Sequence, residues 1–161
     1  GNQLFQYAFG RYLAEKHRSV LKLDCHSSNE SSNHSFYKLN AFNIQENFAS
    51  HEDLDRIDRN DSSSLTKDIK SIKEHPVNGK LGAFIPEFMD CPDNVYLEGF
   101  WQSEKYFVEI SDIIRREFAL KNPLSKNSSF WKDKIMSTNY SVSRRKIYFT
   151  WFCSYNIFCN Y

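Results

Sequence analysis

The chain has 161 residues, 40% apolar and 25% charged. That is enough for one domain whose core takes up roughly 70% of the unfolded surface. Its 21 basic and 20 acidic residues nearly cancel, which excludes an electrostatic footprint for nucleic acid or for an anionic membrane face. Cys25, Cys91, Cys153 and Cys159 form no C-x-x-C pair and the histidines are scattered. The cysteines therefore read as small buried hydrophobes of a reducing compartment, and no metal site is expected.

The sequence opens on "GNQLFQYAFG", where a helix starts at once. Leu4, Phe5, Ala8, Phe9, Tyr12 and Leu13 make one apolar stripe at helical spacing, with Gln6, Arg11, Glu15 and Lys16 away from it. The preceding Gly-Asn-Gln triplet has two readings. In one, Asn2 is an N-cap and Gly1 a flexible lead-in. In the other, a strand precedes Gly1, and Gly1, Asn2 and Gln3 form a strand-to-helix turn that offers backbone N–H groups to an anion and amides to a polyol.

"SVLKLD" (19–24) reads as a short buried strand, so that strand, helix and strand would open a doubly wound α/β domain. Residues 26–35 are a polar loop, and Phe36, Leu39 and Phe42 mark a helical turn or a packed irregular segment. Ser50 and Asp53 form a capping box ahead of a short helix. Residues 60–82, polar and punctuated by Gly and Pro, read as a surface excursion. "NVYLEGF" (94–100) is a strand with Val95 and Leu97 on one face, ended by Gly99. Ile110, Ile113, Ile114 and Phe118 define one side of the next helix, Arg115 and Arg116 its solvated face, and Asn122–Pro123 its stop. A further helix is expected in "NSSFWKDKI", capped at Ser128 or Ser129. The run 146–161, aromatic, uncharged after Lys146 and without period, reads as a non-native tail such as out-of-frame translation, with a buried terminal strand as the alternative.

Two blocks, "GNQLFQYAFGRYLA" and "YLEGFWQSEKYF" followed by "IIRREF", resemble the bacterial α-1,2-fucosyltransferases of glycosyltransferase family 11 over residues 1–140. The resemblance implies the N-terminal Rossmann-like half (1–145) of a GT-B-like α/β enzyme whose second domain is largely missing. It implies inverting transfer of L-fucose from GDP-β-L-fucose to the 2-hydroxyl of a galactoside, with no metal and no cofactor beyond the donor substrate. Gly1, Asn2 and Gln3 then line the cleft, and the anion-site reading overtakes the cap. Trp101, Gln102 and Lys105 fall in the second block as acceptor-side residues, although Trp101, Tyr106 and Phe107 also suit a core and Glu104–Lys105 a surface.

The family's H-x-R-R-x-D motif is matched only by Arg144 and Arg145, with Val142 in place of the His and Ile147 in place of the Asp. An Arg fork at that point would stabilise the charge left on the β-phosphate as GDP departs. Its incompleteness predicts that this chain is inactive. The expected setting is surface glycan synthesis, in the cytoplasm or at the inner face of the cytoplasmic membrane, with peripheral membrane association and a lipid-linked glycan acceptor. Two rivals are an inactive remnant of such an enzyme and a non-catalytic glycan-binding module that uses Trp101 and nearby aromatics as sugar platforms.

Overall fold

The computed structural model describes residues 2–25, 37–58, 68–137 and 156–160. Helix α1 (Asn2–His17) buries Tyr7, Ala8, Phe9, Tyr12, Leu13 and Ala14, much as the apolar stripe requires. It stops in a Schellman motif: Arg18 sits at φ 55°, its N–H reaches Glu15 O (3.3 Å), and the Ser19 N–H reaches Ala14 O (2.9 Å). That turn leads directly into β1 (Val20–Asp24). Gln6 departs from the stripe reading. It is 2% exposed because it donates through Nε2 to Gly99 O (2.7 Å), so a polar residue beside the stripe is enclosed by a tertiary hydrogen bond.

A 3-10 turn spans Leu39–Ala41 and ends at Phe42, while Phe36 lies outside the described residues. Helix α2 (His51–Asp55) carries the expected capping box, with Ser50 and Asp53 bonded reciprocally. Strands β2 (Ile57–Asp58), β3 (Ile69–Lys73) and β4 (Val95–Glu98) follow. Helix α3 (Ser111–Glu117) is preceded by a 3-10 turn and ends well before Asn122–Pro123. Ile110 and Ile114 are buried, with Ile113 and Phe118 packed against the same core. Helix α4 (Lys126–Ser137) begins earlier than expected, because Ser125 rather than Ser128 or Ser129 caps it: Ser125 Oγ accepts the Ser128 N–H (3.2 Å).

The sheet has the order β1-β5-β4-β3-β2. Strands β2, β3 and β4 are parallel, and β5 (Asn156–Asn160) runs antiparallel between β1 and β4. The strands read at 19–24 and 94–100 thus lie in one sheet and point the same way, but an antiparallel strand separates them where a doubly wound domain would be parallel throughout. The architecture is mixed α/β.

Two segments differ from the sequence reading. Part of the supposed excursion at 60–82 is β3, an interior strand whose Ile69 is 0% exposed. Its Lys70 and Lys73 disguise it, since each strand face needs only one isoleucine and the lysine stems reach past the sheet to water. Residues 156–160, within the stretch read as a non-native tail with a terminal strand as the alternative, form a strand in the middle of the sheet, as the alternative had it. A β-prone, uncharged segment pairs with open strand edges whatever its origin, and β1 and β4 each offer one.

Residue parity sorts the sheet into two faces. Leu21, Leu23, Ile72, Val95 and Leu97 point to the α1 side and join the main core with Phe9, Leu13, Phe88, Trp101 and Tyr106. Burying each such large side chain contributes ~1.5–3 kcal/mol. Lys22, Asp24, Ser71, Tyr96 and Glu98 alternate with them, so they belong to the other face, where a small cluster of Ile57, Ile69 and Tyr96 is buried. Cys91 is buried and free, as a small hydrophobe should be, and Cys25 is half-buried and free. Burial pushes both thiols up to about 11. Among the described residues no helix is long and apolar enough to cross a membrane.

Candidate functional site

In α/β sheets ligands are taken up beyond the carboxyl ends of the parallel strands. At that end of β4 the chain turns through Gly99, Phe100 and Trp101 to Gln102, directly beside the start of α1. The Gln102 Nε2 amide donates to Asn2 Oδ1, one hundred positions away in sequence. Gln6, one turn further along α1, holds Gly99 O. Gln3 accepts the Lys38 backbone N–H through Oε1 (3.0 Å), tying the same end of the helix to the segment before the first 3-10 turn. Asn2 is the first residue of α1, and its side-chain oxygen serves this tertiary contact.

The second point of convergence lies two turns along the helix. Tyr7 Oη donates to Glu117 Oε2 (2.7 Å) and accepts the Gln45 N–H (3.0 Å), while Arg11 Nε donates to Glu117 Oε1 (3.0 Å). Burial raises the Tyr7 hydroxyl pKa strongly; the Gln45 N–H opposes this and the Glu117 carboxylate adds to it. Burial would lower the Arg11 pKa, but Glu15 and Glu117 outweigh it and raise it above its ordinary value. Thus "GNQLFQYAFGRYLA" meets "WQSEKYF" at Asn2 and meets "IIRREF" at Tyr7 and Arg11.

The expected site residues separate. Asn2 and Gln102 come together as neutral amides at the strand ends, with Gln3 beside them on α1 bonded to Lys38; donors and acceptors without net charge suit hydroxyl groups better than a lone phosphate. Trp101 does not face this edge. It is 0% exposed, at φ 53°, with ring centroids 4.9 Å from Phe9 and 4.8 Å from Phe88, so in this structure it is core rather than a sugar platform. Its left-handed backbone is what turns the ring inward while its neighbour Gln102 stays exposed. Lys105 is exposed and lies over the Phe84 ring, 5.4 Å from its centroid. Gly1, Arg144 and Arg145 fall outside the described residues.

Sequence reading missed Glu74 and Gly82. Glu74 follows β3 and is 8% exposed. Its carboxylate accepts N–H groups from Gly82 (2.8 Å), Phe100 (2.7 Å) and Trp101 (3.4 Å). Nothing in "IKEHP" signals this, since the donors come from two distant loops. Gly82, at φ 84°, is needed on two counts: a Cβ there would stand 3.0 Å from Gln102 Oε1 in a backbone conformation that side chains resist. Among the described residues no group of His, Cys, Asp and Glu is arranged to hold a metal ion. Comparison with protein-family models, with curated proteins and with solved structures found no match.

Proposed function

We propose that these residues are the N-terminal, Rossmann-like half of a GT-B-like, inverting α-1,2-fucosyltransferase. It takes L-fucose from GDP-β-L-fucose to the 2-hydroxyl of a galactoside, in surface glycan synthesis on the cytoplasmic side of the membrane. The observation that carries the reading is the convergence of the blocks on which the resemblance rests: Asn2 with Gln102, and Tyr7 and Arg11 with Glu117. Residues that work on one ligand must meet, whereas chance matches need not.

In such a transfer the acceptor oxygen attacks the anomeric carbon as the bond to the β-phosphate breaks. The amides of Asn2, Gln3 and Gln102 would hold sugar hydroxyls in line, and the Arg pair, Arg144 and Arg145, would stabilise the charge on the departing diphosphate once set in a complete motif. The positions of Val142 and Ile147 favour a second reading alongside the first: this chain is an inactive remnant of the enzyme.

The test is transfer from labelled GDP-fucose to a galactoside by this chain and by a longer one that supplies the complete H-x-R-R-x-D motif, each with and without Asn2→Ala. The longer chain should turn over and this one should not. Asn2→Ala should lower kcat/KM by about two orders of magnitude, against ~1 kcal/mol in stability for its hydrogen bond with Gln102. No transfer by the longer chain with any galactoside would overturn the reading, and equal activity with alanine at position 2 would remove Asn2 from the site.

A further inference from the structure

We propose that Glu74 is a positioning residue. Its buried carboxylate fixes the 99–102 turn so that the Gln102 amide meets Asn2, and the two amides together present donors and an acceptor to the vicinal hydroxyls of a sugar. The ligand class rests on the fucosyltransfer reading; the positioning itself does not.

The geometry is closed from both sides. On the α1 side Gln6 holds Gly99 O and Asn2 holds Gln102. On the other side one Glu74 oxygen takes the Gly82 N–H and the second takes Phe100 and Trp101. No side chain can intervene at Gly99, where a Cβ would stand 2.5 Å from Glu74 Cβ and 2.9 Å from Trp101 Cε2. Gly82 leaves the space against which Gln102 lies. A carboxylate is the one side chain that accepts from all these N–H groups at once, because both of its oxygens are acceptors. A glutamine in its place has the same shape but turns an NH2 donor toward one of the two loops.

By valence, the Gln102–Asn2 bond leaves the Asn2 Nδ2 group and one Nε2 hydrogen of Gln102 as donors, and Gln102 Oε1 as acceptor, for a ligand. An amide pair of that kind recognises paired hydroxyls only if the spacing is held, and Glu74 holds it.

Isotope-labelled protein tests this directly by NMR. The wild type should show scalar couplings through the hydrogen bonds from the Gly82 and Phe100 amide nitrogens to the Glu74 carboxylate carbon. It should also show a contact between the Gln102 side-chain amide and Asn2. In Glu74→Gln one coupling and the Gln102–Asn2 contact should disappear. Glu98→Gln, which alters the neighbouring carboxylate bonded to Ser71, should leave the Gln102 amide unmoved. If wild-type protein binds GDP-β-L-fucose or a galactoside, Glu74→Gln should weaken that binding about tenfold, as for one lost hydrogen bond.

An unmoved Gln102 amide in Glu74→Gln, or absence of both couplings in the wild type, overturns the proposal; if Glu74→Gln does not fold, the wild-type couplings decide. A Gln102 amide that moves in a protein binding neither probe upholds the positioning role and counts against the fucosyltransfer reading.

Discussion

On the face of the sheet covered by α1, Leu21, Leu23, Val95 and Leu97 meet Phe9, Leu13 and Trp101 in a continuous aromatic and aliphatic core. On the opposite face the same strands present Lys22, Asp24, Ser71, Tyr96 and Glu98, and the contacts are individual bonds. Lys22 binds both oxygens of Asp53 (2.8 and 2.7 Å), Tyr96 Oη donates to Asp24 Oδ2 (2.6 Å), and Ser71 bonds Glu98. Apolar packing is non-directional, so the first face supplies cohesion. Charged and hydroxyl pairs tolerate no slip, because a one-residue shift would turn each of them to the wrong side. The second face therefore adds specific pairs to a register that the apolar alternation of the first already sets.

The hardest blow to this contrast would fall at Phe9, which packs on both Trp101 and Tyr106. Phe9→Ala should cost ~3–5 kcal/mol, read as a lower urea midpoint, because the site is closed and cannot collapse. A loss under about 1 kcal/mol would mean that the aromatic face carries less than its burial implies.

Tyr96→Phe probes the other face at nearly constant volume. It strips Asp24, 1% exposed, of the Tyr96 hydroxyl, and should cost ~1–3 kcal/mol in the same denaturation experiment. An unchanged midpoint would show that Asp24 finds a replacement at no cost, and that this pair adds nothing to the register.

The third probe is pH. Burial raises the Asp53 carboxyl, but the Lys22 ammonium together with the Ser50 N–H and hydroxyl outweighs it and holds Asp53 below the ordinary carboxylate range. A depressed folded-state pKa contributes stability that is present above the unfolded value, about 3.9 for Asp, and is lost as pH falls through the folded value. Stability should therefore drop below about pH 4, and Lys22→Met should flatten that dependence. A pH profile identical in the two proteins would remove the Lys22–Asp53 pair from the account.

The smallest effect belongs to Arg115, paired with Asp112 while the two side chains remain 75% and 84% exposed. Arg115→Ala should change stability by no more than about 0.5 kcal/mol. A larger loss would place cohesion on a surface to which neither face of the sheet extends.

What could be read from the sequence follows the same division. Elements whose signal is periodic or local were legible: the stripe of α1, the alternation of Leu21 and Leu23 or of Val95 and Leu97, and the Ser50–Asp53 box. Those that depend on distant partners were not. Ile69 is flanked by Asp68 and Lys70, and only its place in a strand between β2 and β4 makes it core. Glu74 draws its meaning from amides at 82, 100 and 101. Asn2 and Gln102 stand out separately in the sequence, while their meeting, and the burial of Trp101 in the core, belong to the tertiary structure.

Strand β5 has a consequence for the time course of folding. Val20 pairs with Asn160, and Val95 with Cys159, so two of the four ladders among the described residues join segments far apart along the chain. Such pairings need long loops to close before any contact rewards them, and they form slowly. The α1–β1 hairpin and the β3–β4 pair can form early, yet until β5 arrives each leaves a strand edge exposed. Until β5 pairs, the sheet is divided, and the open edges of β1 and β4 are where chains would associate with one another at high concentration.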